Sequence, residues 1–144
     1  MRSNDYGVSH MDQISYEYTL NTPGAVYIKE AGVQIKLAEM DIEAVTDIGS
    51  AGQQIAFFDI NKIKFPLVVR NFQPGDRFTP LGMSGTQKLK KFFINNKIPR
   101  EQRALCPILI SCGKIIWIAG HRLDNSVRVD SQTRKVLRAE LLLA

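Results

Sequence analysis

Residues 107–120 read PILISCGKIIWIAG. Two apolar runs, 107–112 and 114–120, flank Gly113. Each is too short for an ordinary buried helix, both are rich in isoleucine, and a glycine punctuates them, so the stretch reads as a buried β-hairpin. Trp117 lies among isoleucines and is expected in the core. This hairpin sets the class of the chain, because the segments around it repeat its texture.

Upstream, ISYEYTL (14–20) alternates apolar and polar residues and runs into a Thr-Pro-Gly turn at 22–24. AVYIKEAGVQIKLAEM (25–40) divides into two strands hinged near Ala31-Gly32, and DIGSAGQQ (47–54) is a turn cluster. QIAFFDI (54–60) and FPLVVRNF (65–72) are further strands, with Pro66 confined to an edge or to the first residues of its strand. Downstream, SVRVD (126–130) is expected as a strand. KVLRAELLL (135–143) fits a helix by propensity and a strand by context, and its period does not decide. Residues 1–12, MRSNDYGVSHMD, are polar and aperiodic and read as a flexible N-terminal segment or linker before one domain at 13–144. The expectation is an α+β domain, mainly β, with a small helical insert.

That insert follows Phe72. Pro74-Gly75 marks a turn, and Pro80-Leu81-Gly82 a second irregular stretch. Ser84-x-x-Gln87 has the form of a capping box, with Thr86 as a competing cap. In QKLKKFFINNKI (87–98), Leu89, Phe92 and Phe93 form one apolar stripe, so Lys91 points away from it, with Lys88 and Lys90 on its flanks. Asn95-Asn96 suits the helix end. Pro99 can open a second short helix through Arg103, which Pro107 ends.

Composition narrows the function. Among 144 residues, 44% are apolar and 23% charged, as in a globular protein. The sequence shows neither an apolar run of the about 20 residues a membrane helix needs nor a secretory signal, so a cytoplasmic chain without a membrane partner is expected. Cys106 and Cys112 fit no zinc spacing, and His10 and His121 do not complete one. No metal site is expected, and both thiols read as small buried hydrophobes.

Charge is strongly asymmetric. Residues 1–60 carry three Lys/Arg against nine Asp/Glu, and residues 61–144 sixteen against five. Between 70 and 103 stand Arg70, Arg77, Lys88, Lys90, Lys91, Lys97, Arg100 and Arg103, opposed only by Asp76 and Glu101. No carboxylate sits three or four residues from Lys88, Lys90 or Lys91 to neutralise them. An acidic partner explains such a patch, and a phosphate backbone is the commonest one.

Catalytic motifs are missing. The sequence contains no P-loop, GxSxG or HExxH. His121-Arg122-x-Asp124 reads as a polar turn at a strand end. Asp76 reads as closing the Pro-Gly turn through local backbone and pairing with a nearby arginine. No catalytic residue is assigned. A free-standing enzyme using Asp76, His121 or Asp124 would turn over ATP, which is not expected.

The run RNFQPGDRFTPLGM (70–83), followed by KLKKFFINNKIPR (88–100), PIL (107–109) and IIWIAGHRLD (115–124), closely resembles the C-terminal domain of bacterial tRNA(Ile)-lysidine synthetase. The match extends more loosely over 14–60 and 126–141. The resemblance implies a sandwich-like, antiparallel β domain, similar to one in the β-subunit of phenylalanyl-tRNA synthetase. It also implies a parent enzyme that uses ATP to attach lysine to C2 of the first anticodon cytidine of tRNA(Ile) with a CAU anticodon. That chemistry belongs to an N-terminal PP-loop domain marked SGGxDS, a signature this sequence lacks, so no cofactor is expected in the fragment.

The implied partners are that tRNA, held on its acceptor-stem side, and the enzyme's own catalytic domain, with a homodimer possible in the full enzyme. The implied RNA contacts are the eight cations of 70–103 with Arg122 and Arg128. Arg77 suits a phosphate or guanine edge and equally suits holding the Asp76 turn. The alternative is a protein-interaction domain that docks an acidic surface.

Overall fold

The hairpin forms, and a five-stranded antiparallel sheet is built on it. In the computed structural model, which describes residues 14–46, 48 and 52–144, Pro107–Ser111 (β8) pairs with Lys114–Ile118 (β9) across Cys112-Gly113. Both turn residues have positive φ, 53° and 75°, the hand of turn whose twist matches that of the flanking strands. Cys112 is therefore exposed at the tip, which corrects the expectation that both cysteines are buried; Cys106 is buried.

Outward from the hairpin, the sheet runs in the order Glu17–Leu20 (β1), Leu67–Asn71 (β5), β8, β9 and Arg122–Leu123 (β10). Pro66 stands just ahead of β5, outside the ladder, so its missing N–H is not called upon.

A second antiparallel sheet has the order Ala25–Ile28 (β2), Val33–Asp41 (β3), Lys135–Leu143 (β11) and Ile55–Asp59 (β4). β11 resolves the ambiguous C-terminal segment. It is a strand paired on both sides, and its period-2 residues Leu137 and Ala139 are fully buried in the core. The expected strand at 126–130 is absent. Asn125–Val127 forms a 3-10 turn instead, because the Asp124 carboxylate accepts from Ser126 N (3.0 Å) and from the Ser126 hydroxyl. The N-terminal segment 1–12 lies outside the described residues, as do 47 and 49–51 of the cluster at 47–54.

The two sheets face each other over one core that includes Ile28, Ile35, Phe58, Leu67, Val69, Leu109, Trp117 and Leu137. Phe58 and Trp117 meet edge to face across it at 6.1 Å. The opposite face of the first sheet buries Ile108, Ile110, Ile115 and Ile118 beneath the helical insert. The domain is thus a sandwich with a third, partly helical layer.

A β-bulge lets β9 serve both layers. Leu109 pairs with Trp117 and Ile110 with Ile115, leaving Ile116 without a partner. Ile116 and Trp117 consequently both enter the sandwich core, while Ile115 and Ile118 face the insert. The Ile116 carbonyl accepts from Asp124 N at 2.8 Å, which places the Asp124 turn.

No helix among the described residues is long and apolar enough to cross a membrane.

Candidate nucleic-acid interface

The insert begins with a two-residue ribbon. Arg77–Phe78 (β6) pairs with Gln87–Lys88 (β7), with Arg77 opposite Lys88 and Phe78 opposite Gln87. Leu89–Asn95 (α1) follows directly. The expected caps do not operate. The N-cap position is Lys88, held extended by the ribbon, and no side chain caps the helix N-terminus. Pairing with β6 keeps 87–88 out of the helix, and the Thr86 hydroxyl accepts from Arg77 Nη2 instead (3.2 Å). The first helical N–H is satisfied by main chain, Leu89 N donating to Asp76 O at 2.8 Å. Lys88 is therefore a ribbon residue, not a flank of the helix.

The stripe forms as expected. Leu89 and Phe93 are fully buried and Phe92 nearly so. Phe92 meets Phe78 edge to face at 5.2 Å, and Phe93 meets Phe72 at 5.5 Å. The helix ends in a Schellman arrangement. Ile98 N donates to Phe93 O and Lys97 N to Ile94 O, both at 3.0 Å, and Lys97 takes the left-handed position with φ 56°. Pro99 then starts Arg100–Leu105 (α2), which leads through Cys106 into β8.

These elements enclose a groove of about 440 Å³. Lys88 lines it from the ribbon, Lys90 from the start of α1, and Arg100 and Arg103 from α2; Asn71, Phe72, Pro74, Gly75, Asp76 and Ala104 complete it. Lys88, Lys90 and Arg100 are exposed. Arg103 is half-buried and donates Nε–H to Ile98 O at 2.7 Å. Four of the ten candidate cations thus meet in one concavity, with an apolar wall beside them.

The other six are placed differently. Arg70 is bound to Asp76 two-pronged, Nη1–Oδ2 at 2.9 Å and Nη2–Oδ1 at 3.0 Å, and both side chains are nearly buried. Asp76 Oδ2 also accepts from Gln73 N at 2.9 Å, so Asp76 closes its turn as read from sequence. The arginine that holds this turn is Arg70; Arg77 is exposed beside Thr86. Lys91 and Lys97 are exposed outside the groove lining, and Arg122 is half-buried on β10. Arg128 donates to Asn125 O at 3.0 Å and borders a separate, mainly apolar cleft with Leu81, Leu123 and Val129.

Two buried polar side chains carry the scaffold of the site and were not assigned that role from sequence. Asn71 accepts from Tyr16 N (3.1 Å) and donates to Ile14 O (2.8 Å) and Ala104 O (3.0 Å), tying β5 to the chain before β1 and to the end of α2. Asp124, fully buried, accepts from Thr79 N at 2.7 Å, and Asn125 Oδ1 accepts from Gly82 N at 3.0 Å. Together they pin the loop that carries Pro80-Leu81-Gly82. In both cases an Asn or Asp inside or just after an apolar run was the available signal.

The His121 ring packs edge to face on Phe93 at 6.4 Å, and burial pushes its pKa below the usual histidine value. Among the described residues, no group of three or more His, Cys, Asp or Glu is placed to hold a metal ion.

A family model described as the TilS substrate C-terminal domain matches residues 67–139, which take in the ribbon, both helices and the hairpin. The chain belongs to this family.

Similar proteins share one name, tRNA(Ile)-lysidine synthase. The chain is 42% identical over 129 residues to the tRNA(Ile)-lysidine synthase of Caldanaerobacter subterraneus subsp. tengcongensis, covering 90% of the chain and 27% of that protein. It is 46% identical over 94 residues to the corresponding protein of Dehalococcoides mccartyi, covering 65% of the chain and 20% of that protein. The chain thus spans about a quarter or less of the relatives it matches. Among solved structures, a TilS C-terminal domain crystal structure superposes with a TM-score of 0.74 at 25% identity, over 89% of this chain and 98% of that one. An N-terminal fragment of the phenylalanyl-tRNA synthetase β-subunit from Pyrococcus horikoshii shares the fold, with a TM-score of 0.55 at 20% identity over 62% of this chain and 28% of that one. Both the sandwich-like fold and the relation to the synthetase domain expected from the motifs are found.

Proposed function

We propose that this domain holds tRNA(Ile) for a tRNA(Ile)-lysidine synthase and that the groove between α1 and α2 receives the sugar–phosphate backbone on the acceptor-stem side. The parent enzyme would use ATP to attach lysine to C2 of the wobble cytidine of the CAU-anticodon tRNA in the cytoplasm, through a catalytic domain outside this chain. The fragment itself binds and orients and carries no chemistry. The observation that supports this most is the convergence of Lys88, Lys90, Arg100 and Arg103 on one concavity. A-form RNA is held largely through phosphates and 2′-hydroxyls, which such a cationic trough suits.

The test is titration of the domain with a CAU-anticodon tRNA(Ile) transcript over a range of salt. Contact by four cations would give a slope of log Kd against log salt of about 3, from counterion release. Replacing Lys88, Lys90 and Lys91 with Glu is expected to abolish binding without lowering the thermal transition. Unaltered affinity in that variant would overturn the proposal. Equal affinity for an acidic protein at the same salt would favour the protein-docking role instead. Absolute affinity will be low where the full enzyme engages one RNA at two sites, so the comparison with the variant is decisive.

A further inference from the structure

We propose that Arg70 and Asp76 are positioning residues of this groove, setting the direction from which Lys88 and Lys90 face the RNA, and that neither contacts the RNA itself. The inference rests on the RNA role proposed above.

Arg70 projects from β5, an interior strand bonded on both sides, toward the helical layer. Its fork is filled by the Asp76 carboxylate and by Asn71 O, which accepts from Nη1 at 3.1 Å, and its side chain is only 14% exposed. Little of it is left for a phosphate. Asp76 works at both ends of its residue. Its carboxylate is fixed to β5 through Arg70, and its carbonyl receives the first N–H of α1 from Leu89. Since no side chain caps the N-terminus of α1, this main-chain bond ties the helix start to the rigid sheet. Lys88 immediately precedes the tied residue and Lys90 immediately follows it. Asp76 also leads directly into β6, whose pairing orients Lys88.

Charge alone argues the other way. A carboxylate lining a groove for phosphate opposes binding, so electrostatics would favour its removal. Its presence is accounted for if geometry outweighs its charge. The two roles therefore predict opposite signs for one substitution.

The experiment measures tRNA(Ile) binding over a salt series for the 144-residue chain and for Asp76→Asn, Arg70→Gln, Arg70→Lys, the Arg70→Gln/Asp76→Asn double variant and Lys90→Ala, with thermal unfolding of each. Asp76→Asn and Arg70→Gln are expected to weaken binding by roughly tenfold, the size of a typical indirect coupling, at an unchanged salt slope. The double variant is expected to be no weaker than the worse single one, since both break the same link. Arg70→Lys, which keeps the charge and loses the fork, covers the case in which Arg70→Gln fails to fold, and is expected to weaken binding at the same slope. Lys90→Ala is expected to lower the slope by about one.

Tighter binding by Asp76→Asn overturns the positioning role, as does full affinity in both Arg70 variants. A slope lowered by about one in Arg70→Gln makes Arg70 a direct contact and also overturns it. If the unaltered domain does not bind tRNA, or Lys90→Ala leaves both affinity and slope unmoved, it is the RNA role of the groove that fails, and the positioning role falls with it.

Discussion

Arg77 stands directly opposite Lys88 in the ribbon of β6 and β7, and both side chains are exposed. Directly opposed residues of an antiparallel pair project to the same face, so two cations are held side by side. Nothing in the fold requires this, because the apolar anchor of the ribbon is Phe78, on the other face.

Replacing Arg77 with Glu converts the like-charge pair into an ion pair. The folded state is expected to gain roughly 0.2–1 kcal/mol, the usual size of a cross-strand pair, while tRNA affinity falls. Chemical denaturation and tRNA titration of the same variant check the two halves. Loss of stability would show that the ribbon does not repel itself as described.

Lys97 occupies the left-handed position that ends α1. An L-residue there costs about 1 kcal/mol that glycine avoids. Lys97→Gly is expected to raise stability by about that amount in urea unfolding, since the Schellman bonds are made by main chain. A phosphate contact by Lys97 would show as a simultaneous fall in tRNA affinity.

Asn71→Ala leaves Tyr16 N and the carbonyls of Ile14 and Ala104 without their partner. Unsatisfied buried groups make this a loss on the order of 3 kcal/mol, well above that of a surface change. Equilibrium denaturation measures it. An accompanying loss of tRNA binding under fully folded conditions would reflect displacement of α2, whose end Asn71 holds.

The two thiols should react very differently. Cys112 is exposed at the hairpin tip, and burial pushes the Cys106 thiol up to about 12. A thiol reagent is expected to modify Cys112 in the native domain and both residues in denaturant, as mass spectrometry would show. Because the folded-state pKa of Cys106 is raised, its contribution to stability is full below the unfolded thiol value of about 8.5 and declines as pH rises from there toward the folded value. Cys106→Ala should flatten that alkaline decline.

Much of the fold was readable because its signals are local. PILISCGKIIWIAG announces its hairpin by composition, and the Leu89/Phe92/Phe93 stripe fixes which side of α1 is buried. The errors have tertiary causes. Ser84 and Thr86 carry good capping chemistry, yet the ribbon keeps Gln87 and Lys88 extended and delays the helix to Leu89. SVRVD alternates like a strand, but the Asp124 carboxylate takes hold of Ser126 and curls the segment. KVLRAELLL has no decisive period, and pairing with β3 and β4 settles it.

The site was legible as a run of charge and not as a surface. Adjacent cations in sequence separate in space. Lys88 and Lys90 line one groove with Arg100 and Arg103, whereas Arg70 turns to Asp76. Which arginine claims a carboxylate depends on approach and burial, quantities that spacing along the chain does not carry.

The unpartnered Ile116 in β9 makes the length of that strand as constraining as its chemistry. Deleting Ile116 would restore simple alternation, with Ile115 still opposite Ile110 and Trp117 opposite Leu109, but would take one side chain out of the sandwich core and remove the carbonyl that receives Asp124 N. The hairpin can exchange one aliphatic for another of like volume, but it cannot shorten there without leaving a hole in the sandwich and an unanchored Asp124 turn.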